Sequence, residues 1–284
     1  MRWGDGRRSD NVEDRRGSSV SRNVVGGGVG TVILVLVAMY FGVDPSVILD
    51  MASTGNNRPA VTSPSTRPAA ENKMAEFVSV VLADTEDTWR DLFKKAGKTY
   101  REPKLVLFTG AVQSACGMAD AAAGPFYCPG DQKVYIDLAF YQELKNRFRA
   151  PGDFAQAYVI AHEVGHHVQN LLGISKKVQD ARSRASKKDG NRLSVRLELQ
   201  ADCFAGVWGN HADKARHILE SGDVEEALNA ASAIGDDRLQ RRSQGTVVPD
   251  AFTHGTSEQR VHWFNIGLTT GDTKQCNTFS TQQL

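Results

Sequence analysis

The chain has 284 residues and carries 34 lysines and arginines against 33 aspartates and glutamates, for a formal net charge of +1. Such a balance gives no argument for a nucleic acid or an acidic partner, so we predict no nucleic-acid binding. The length allows one sizeable domain with further segments, and 40% hydrophobic residues is ordinary for a globular domain. The four cysteines could form two bridges in three connectivities: Cys116, Cys128, Cys203 and Cys276.

Residues 1–71 are predicted to lie outside the folded domain. Residues 1–23 are polar and rich in arginine, with nothing apolar enough to build a core, which predicts a disordered tail. Residues 24–43 carry no charge, and twenty residues at a rise of about 1.5 Å cover about 30 Å, the thickness of a bilayer's hydrocarbon core. We therefore predict a transmembrane anchor over this segment. Residues 44–71 are rich in Ser, Thr, Asn, Pro and Ala, which predicts a flexible linker.

Two other interpretations of residues 24–43 stay open, a buried core helix and a cleaved signal peptide. The run is long for a signal peptide and no clear small-residue cleavage site follows it, which favours an uncleaved anchor. Arginines precede the segment, whereas Asp44 and Asp50 follow it. The positive-inside rule then predicts a single-pass inner-membrane protein with a cytoplasmic N-terminus and a periplasmic or otherwise extracytoplasmic catalytic domain.

Residues 72–284 are predicted to form the folded domain. Helical spacing of apolar residues predicts a first helix over Asn72–Lys95. Cys116 and Cys128 bracket a loop short enough for a local disulfide, the expected state outside the cytoplasm, and the alternative is two free buried thiols. The next predicted elements are strands at Lys104–Phe108, Phe126–Cys128 and Lys133–Asp137, and a helix over Leu138–Phe148.

The stretch from Phe154 to Leu172 is apolar nearly all round and contains the motif H-E-x-x-H at residues 162–166. A helix of that composition is buried. His162 and His166 are four residues apart, so they project from one face and can bind one zinc ion. Glu163 lies beside them and could take a proton from a water that the metal activates. Buried His and Glu are costly unless hydrogen-bonded, paired or bound to metal, which favours a zinc site over a chance match.

A catalytic zinc site needs a third protein ligand, and the candidate is Glu198. Glu198 and Asp202 share one face of a helix that is otherwise apolar. With Glu198 on the metal, Asp202 could accept the second N–H of a metal-binding histidine, as outer-shell groups commonly do. The alternative is an ordinary ion pair between Glu198 and one of the nearby basic residues Lys188, Arg192 and Arg196.

The order H-E-x-x-H followed by E-x-x-x-D resembles the gluzincin pattern of zinc peptidases, in which the later glutamate is the third ligand. Longer strings resemble one family, the YpfJ-like bacterial neutral zinc metallopeptidases, over roughly residues 72–280 and the predicted anchor. These strings are Ser-Ala-Cys-Gly, Gly-Pro-Phe-Tyr-Cys-Pro, Val-Tyr-Ile-Asp-Leu, Ala-His-Glu-Val-Gly-His-His-Val-Gln, Leu-Glu-Leu-Gln-Ala-Asp-Cys and His-Gly-Thr-Ser-Glu-Gln-Arg. The resemblance implies an α+β, zincin-like fold with a small sheet on an active-site helix. It also implies that Val134–Leu138 is the edge strand that pairs with an extended peptide substrate.

Two further predictions concern the C-terminal part of the domain. Zinc peptidases need a donor that stabilises the oxyanion of the tetrahedral intermediate. His254 lies just before a predicted helix over Ser257–Leu268 and is the first candidate, with Arg260 as a weaker one. The alternative for His254 is an ordinary surface histidine. By elimination, Cys203 is expected to pair with Cys276.

These patterns favour a membrane-anchored zinc peptidase, with Zn²⁺ on His162, His166 and Glu198 and with Glu163 as the general base. A polypeptide substrate would be hydrolysed outside the cytoplasm, while residues 24–43 would contact the lipid bilayer. One rival hypothesis keeps the zinc site but assigns it a non-peptide amide or ester. The other is a non-catalytic, zinc-stabilised envelope scaffold, and Glu163 argues against it because a structural site has no use for this carboxylate.

Overall fold

The computed structural model of the protein describes residues 1–17, 69–120 and 124–281. The predicted transmembrane segment 24–43 lies outside the described residues, as does most of the predicted linker. Within the three described ranges, no helix is both long enough and apolar enough to cross a bilayer.

The described residues form a mixed α and β structure that is mostly helical, with two small sheets. The strands are β1 (Val12–Asp14), β2 (Lys104–Phe108), β3 (Ala111–Ser114), β4 (Gly117–Asp120), β5 (Phe126–Cys128) and β6 (Lys133–Asp137). The helices are α1 (Ala69–Lys95), α2 (Ala139–Asn146), α3 (Asp153–Leu171), α4 (Ile174–Arg182), α5 (Lys187–Arg216), α6 (Asp223–Ala233), α7 (Asp236–Gln244) and α8 (Ser257–Thr270). The predicted α+β class is therefore confirmed.

The larger sheet has the strand order β1-β2-β6-β5, in which β1, β2 and β6 run parallel and β5 is antiparallel. Strand β6 is internal, so the prediction that Val134–Leu138 forms the substrate-binding edge is wrong. The physical reason is that β6 is apolar on both faces and buried from Val134 to Asp137, as expected for a parallel strand inside a sheet. The antiparallel edge of this sheet is β5.

Residues 1–17, which we name the N-terminal arm, pack against the domain. The prediction of a disordered tail is therefore wrong for these residues, while residues 18–23 lie outside the described part of the chain. Strand β1 of the arm pairs with β2, and the ring of Trp3 meets Phe77 edge-on with 5.4 Å between the centroids. The polar side chains that suggested disorder are satisfied by partners in the domain, above all by Glu86 on α1.

Glycines allow the helices that carry the candidate site to approach closely. A Cβ placed on Gly165 of α3 would lie 3.0 Å from the carbonyl oxygen of Ala201 on α5. A Cβ on Gly267 of α8 would lie only 1.9 Å from the carbonyl oxygen of Cys203, also on α5. Because neither position has room for a side chain, α5 meets both neighbouring helices backbone to backbone. This packing brings the predicted site residues of α3, α5 and α8 together.

Both predicted disulfides are present. Cys116–Cys128 ties the turn between β3 and β4 to β5, with its Cα atoms 5.8 Å apart. Cys203–Cys276 ties α5 to the segment after α8, with a Cα separation of 5.5 Å. The two alternatives left open by the cysteine spacing, a different connectivity and free thiols, do not occur.

Candidate metal centre

The three predicted ligands converge where α3 crosses α5. Donor atoms of His162, His166 and Glu198 all lie within 4.8 Å of one another. The Oε2 atom of Glu198 is 3.2 Å from Nε2 of His162 and 3.4 Å from Nε2 of His166. Two imidazole nitrogens and a carboxylate oxygen are a donor set that suits zinc. Among the described residues, Glu198 does not form the alternative ion pair with Lys188, Arg192 or Arg196.

A buried network orients His162. Its Nδ1–H donates to Oδ1 of Asp202 over 2.8 Å, which turns its Nε2 toward Glu198. The Asp202 carboxylate also accepts from the Tyr158 hydroxyl at 2.5 Å and from Nε and Nη2 of Arg260, each at 2.8 Å. Burial alone would raise the pKa of Asp202, but Arg260 and His162 lower it to about 2, so the carboxylate is charged. The predicted contact of Asp202 is thus present, and Arg260 is committed to Asp202.

His166 is oriented by a side chain that was not predicted from the sequence. Its Nδ1 atom is 2.9 Å from Oε1 of Gln169, which lies three residues further along α3. Gln169 is fully buried, although it is polar. The i, i+3 spacing on a helix places the two side chains side by side. That spacing was a usable signal, but an uncharged amide does not stand out in a sequence.

Glu163 lines the same cavity as the three converging donors. Its side chain is buried, yet its carboxylate forms no hydrogen bond or ion pair with any residue that the structure describes. In this it differs from Glu198 and Asp202, which are both engaged. A carboxylate beside the donor set and without a protein partner is available to accept a proton.

His254 also lines this cavity, from the loop before α8. Its Nδ1 atom is 3.1 Å from Oδ1 of Asp236 at the start of α7. The other oxygen of Asp236 accepts the backbone N–H groups of residues 253, 254 and 255 at 2.6, 2.6 and 3.2 Å. The hydrogen bond that His254 donates to the Asp236 carboxylate raises the pKa of His254. The loop is therefore fixed by Asp236, whose role could not be seen from the sequence because it belongs to another helix.

The cavity has a volume of about 950 Å³, and the edge strand β5 forms part of its wall. The three donors His162, His166 and Glu198 line it, and much of the remaining lining is apolar. The cavity is much larger than a metal ion needs, and it has room for several side chains of an extended polymeric ligand. The apolar lining residues include Phe126, Phe140, Phe148, Val159, Ile234 and Leu239.

Strand β5 is anchored to α3 through Tyr127. The buried ring of His167 donates from Nε2 to the carbonyl oxygen of Arg101 at 2.6 Å, which leaves Nδ1 as an acceptor. The Tyr127 hydroxyl lies 3.1 Å from that Nδ1 and accepts from Nδ2 of Asn170 at 3.1 Å. Burial lowers the pKa of His167 to about 4, so this histidine is neutral and structural. The anchor fixes the edge strand relative to the donor set.

The fold and the site together are those of a zinc metallopeptidase. The profile of the family described as "Putative neutral zinc metallopeptidase" matches residues 1–279, and the chain belongs to this family. The membership confirms two predictions, the enzyme class and the zinc cofactor.

Proteins of two bacteria are similar to this chain over most of its length. "Uncharacterized protein YpfJ" of Escherichia coli strain K12 is 55% identical over 290 residues, which cover 98% of this chain and 99% of that protein. "Uncharacterized protein Mb2605" of Mycobacterium bovis is 38% identical over 262 residues, covering 87% of this chain and 86% of that protein. No solved structure matches the chain.

Proposed function

We propose that the protein hydrolyses peptide bonds of polypeptide substrates, with zinc held by His162, His166 and Glu198. The observation that carries the proposal is the convergence of these three donors in a cavity that also holds the uncommitted carboxylate of Glu163. Both histidines already use Nδ1 in hydrogen bonds, which leaves both Nε2 atoms for the metal. The donor set therefore fits the cofactor of the family.

Zinc bound at this site would act as a Lewis acid and lower the pKa of water toward about 7. Glu163 takes a proton from the water that attacks the scissile carbonyl and then delivers it to the leaving amine. His254 donates a hydrogen bond to the developing oxyanion. Because Nδ1 of His254 faces Asp236, the hydrogen for this purpose is on Nε2 and requires the imidazolium form. Asp202 holds His162 in the orientation that presents Nε2.

Strand β5 is the proposed binding edge for the substrate. An extended peptide can add to an exposed sheet edge through backbone hydrogen bonds, and side-chain pockets then provide specificity. Strand β5 occupies the edge of the sheet and lines the cavity, and its Tyr127 is anchored to α3. This proposal replaces the assignment of the substrate strand to Val134–Leu138.

The proposed location of the reaction is outside the cytoplasm, at a membrane. Two disulfides support it, because such bonds persist in oxidising compartments. The charge-free segment 24–43 supports contact with a bilayer by its length and composition.

The test compares the parent protein with Glu163→Gln, after zinc analysis of both, on an unfolded protein such as casein and on small amides and esters. We expect Glu163→Gln to keep its zinc and to lose casein cleavage by about 10²–10⁴-fold. Glu225→Gln, an exposed glutamate on α6, is the matched control and should cleave like the parent.

Three outcomes would redirect the proposal. Full casein cleavage by zinc-loaded Glu163→Gln refutes the assigned mechanism. Hydrolysis of amides or esters by the parent, without cleavage of casein, favours the non-peptide hydrolase. Stoichiometric zinc in a parent protein that hydrolyses neither class of substrate favours the scaffold.

A further inference from the structure

Gln169 connects the two helices that carry the candidate ligands. Its Oε1 atom lies 2.9 Å from Nδ1 of His166 on α3, and its Nε2 atom lies 2.7 Å from the carbonyl oxygen of Leu197 on α5. Leu197 directly precedes Glu198. The glutamine is fully buried, so both contacts are shielded from water.

The partner on α5 fixes the orientation of the Gln169 amide. A backbone carbonyl only accepts hydrogen bonds, so the NH₂ group faces Leu197 and Oε1 faces His166. Since Oε1 also only accepts, His166 must donate from Nδ1, which leaves Nε2 as the ring nitrogen that faces Glu198 and can bind the metal. The second N–H of Gln169 faces Oε1 of Gln200 at 3.1 Å, and Gln200 donates to the carbonyl oxygen of Cys276 at 2.9 Å. The amide thus has a partner at every polar hydrogen.

We propose that Gln169 is a positioning residue for the metal centre. It sets the tautomer and the ring orientation of His166, and it couples both to the helix segment that carries Glu198. The inference rests on the proposed function only in taking His166 and Glu198 as zinc ligands. It does not depend on whether the substrate is a peptide.

The test measures zinc affinity by chelator competition and records the visible spectrum of the Co²⁺-substituted protein. Gln169→Met keeps the side-chain volume and removes all three hydrogen bonds, whereas Gln156→Met on the same helix is the control. We expect about 10–100-fold weaker zinc binding and an altered Co²⁺ spectrum for Gln169→Met, with the control like the parent. Gln169→Glu keeps an acceptor for His166, so its Co²⁺ spectrum should resemble that of the parent more closely than the Gln169→Met spectrum does.

Parent-like zinc affinity and a parent-like spectrum in folded Gln169→Met would overturn the inference. If Gln169→Met does not fold, the same two measurements are made on Gln169→Leu, and parent-like zinc affinity with a parent-like spectrum in that variant overturns the inference. Failure of the parent itself to bind zinc counts against the proposed function instead, and peptidase activity alone decides neither result.

A second inference concerns the N-terminal arm and rests on other contacts. The Glu86 carboxylate on α1 is buried, with 1% of the residue exposed. In the described ranges its hydrogen bonds come from the arm, from Arg7 Nη2 at 2.8 Å, Ser9 Oγ at 2.5 Å and Asn11 Nδ2 at 2.8 Å. A buried carboxylate is costly without such partners. The arm is therefore a constituent of the fold.

The arm also extends the sheet and ends where α1 begins. The backbone N–H of Leu105 donates to the carbonyl of Asn11, and that of Arg15 donates to the carbonyl of Leu107, each at 2.8 Å. Nη1 of Arg16 donates to the carbonyl of Glu71, at the start of α1, at 3.0 Å. The chain thus leaves the folded unit and returns to it within the reach of one side chain. The family profile begins at residue 1, so the arm belongs to the family's shared unit.

A chain that leaves a folded unit and returns beside its point of departure crosses a bilayer an even number of times. Residues 18–68 contain one charge-free segment of spanning length, 24–43, and residues 44–68 carry four charges and four prolines. A single crossing would separate the arm from Glu86. We propose that the arm and the candidate metal centre lie in the same compartment. This proposal replaces the single crossing with a cytoplasmic N-terminus that charge distribution predicts.

The test places one cysteine reporter in the arm, Asp10→Cys, and one in the domain, Lys98→Cys, both at exposed positions. Spheroplasts expressing either variant are treated with a membrane-impermeant maleimide before and after lysis. We expect the two reporters to behave alike, both labelled before lysis or both only after it. Labelling of one reporter and protection of the other before lysis would overturn the proposal.

A second measurement avoids added cysteines. A protease site is inserted between Asn56 and Asn57, and the full-length protein is cut after purification in mild detergent. The arm fragment should remain with the domain during gel filtration, because β1 and the Glu86 contacts hold it. Separation of the two fragments under native conditions contradicts the proposal.

Discussion

Replacing Arg260 by methionine should destabilise the folded unit, because the buried Asp202 carboxylate would lose its guanidinium partner and keep only His162 to offset its charge. Asp202 is 0% exposed and Arg260 is 2% exposed, and two hydrogen bonds of 2.8 Å join them. Removing one partner of a buried ion pair costs about 3–5 kcal/mol. Tyr158 and His162 would still donate to Asp202, so we expect the lower end of that range, about 3 kcal/mol.

The assay is urea unfolding of the disulfide-intact, metal-free protein, followed by circular dichroism. Urea unfolding gives the change in the free energy of unfolding directly. In a thermal melt of a folded unit of this size, a loss of about 3 kcal/mol corresponds to a fall in Tm of about 6–12 °C. Arg238→Met changes an exposed arginine on α7 and should stay within about 0.5 kcal/mol of the parent. The double variant Arg260→Met/Asp202→Asn should be more stable than Arg260→Met, because it no longer buries a carboxylate that lacks its guanidinium partner.

Two results would refute this reasoning. The first is an Arg260→Met protein with the same free energy of unfolding as the parent. The second is a double variant that is no more stable than Arg260→Met, which would show that the buried Asp202 charge without Arg260 is not the source of the loss.

Three further predictions concern pH, metal and packing. Asp236→Asn replaces the carboxylate that raises the pKa of His254 with an uncharged amide, so this pKa should fall. The alkaline limb of kcat, where the imidazolium is lost, should then move to lower pH; an unchanged pH–rate profile contradicts this. Burial lowers the pKa of His162, but Asp202 more than offsets this and raises it to about 10 in the metal-free protein, so zinc binding at neutral pH should release protons. Calorimetry in buffers of different ionisation enthalpy counts these protons, and a count of zero is the contrary outcome. Gly165→Ala places a Cβ 3.0 Å from the carbonyl oxygen of Ala201 and should lower the free energy of unfolding in urea by about 1–3 kcal/mol. Parent-like stability would mean that α5 can shift away from α3 without cost, which contradicts this prediction.

The local elements of the domain could be predicted because each is specified by its own residues. The strands predicted at Lys104–Phe108, Phe126–Cys128 and Lys133–Asp137 agree with the observed bounds, and the first helix begins only three residues before Asn72. The order of the strands in the sheet could not be predicted in this way, because it depends on which apolar strands pair in the folded chain. Strand β6 was therefore found correctly and yet assigned to the wrong place in the sheet.

The N-terminal arm shows why composition alone misjudged the first residues. A stretch of arginines with few apolar residues cannot build a core by itself, which is the usual basis for predicting disorder. This arm does not need its own core, because Glu86 offers a buried carboxylate to it from a helix about eighty residues later. The signal for order thus lay in the distant partner, Glu86.

The candidate ligands could be predicted because helical geometry fixes the relation between residues four apart. His162 and His166 share one helix face, and Glu198 and Asp202 share another, so one helix crossing brings all four together. The disulfides followed in the same way from an even number of cysteines and one short loop. The contact between Asp236 and His254 could not be predicted, because it joins the start of α7 to the loop before α8. No fixed sequence spacing relates residues in two such places.

The charges around the donor set explain why Arg260 is buried beside Asp202. The Asp202 carboxylate orients His162, but an uncompensated negative charge there would also weaken the electrophilic character of a bound cation. Arg260 cancels that charge through two hydrogen bonds while leaving Oδ1 bonded to His162. At His166 the orienting group is the neutral amide of Gln169, which needs no counter-ion. We infer that both histidines are oriented without adding net negative charge to the donor set.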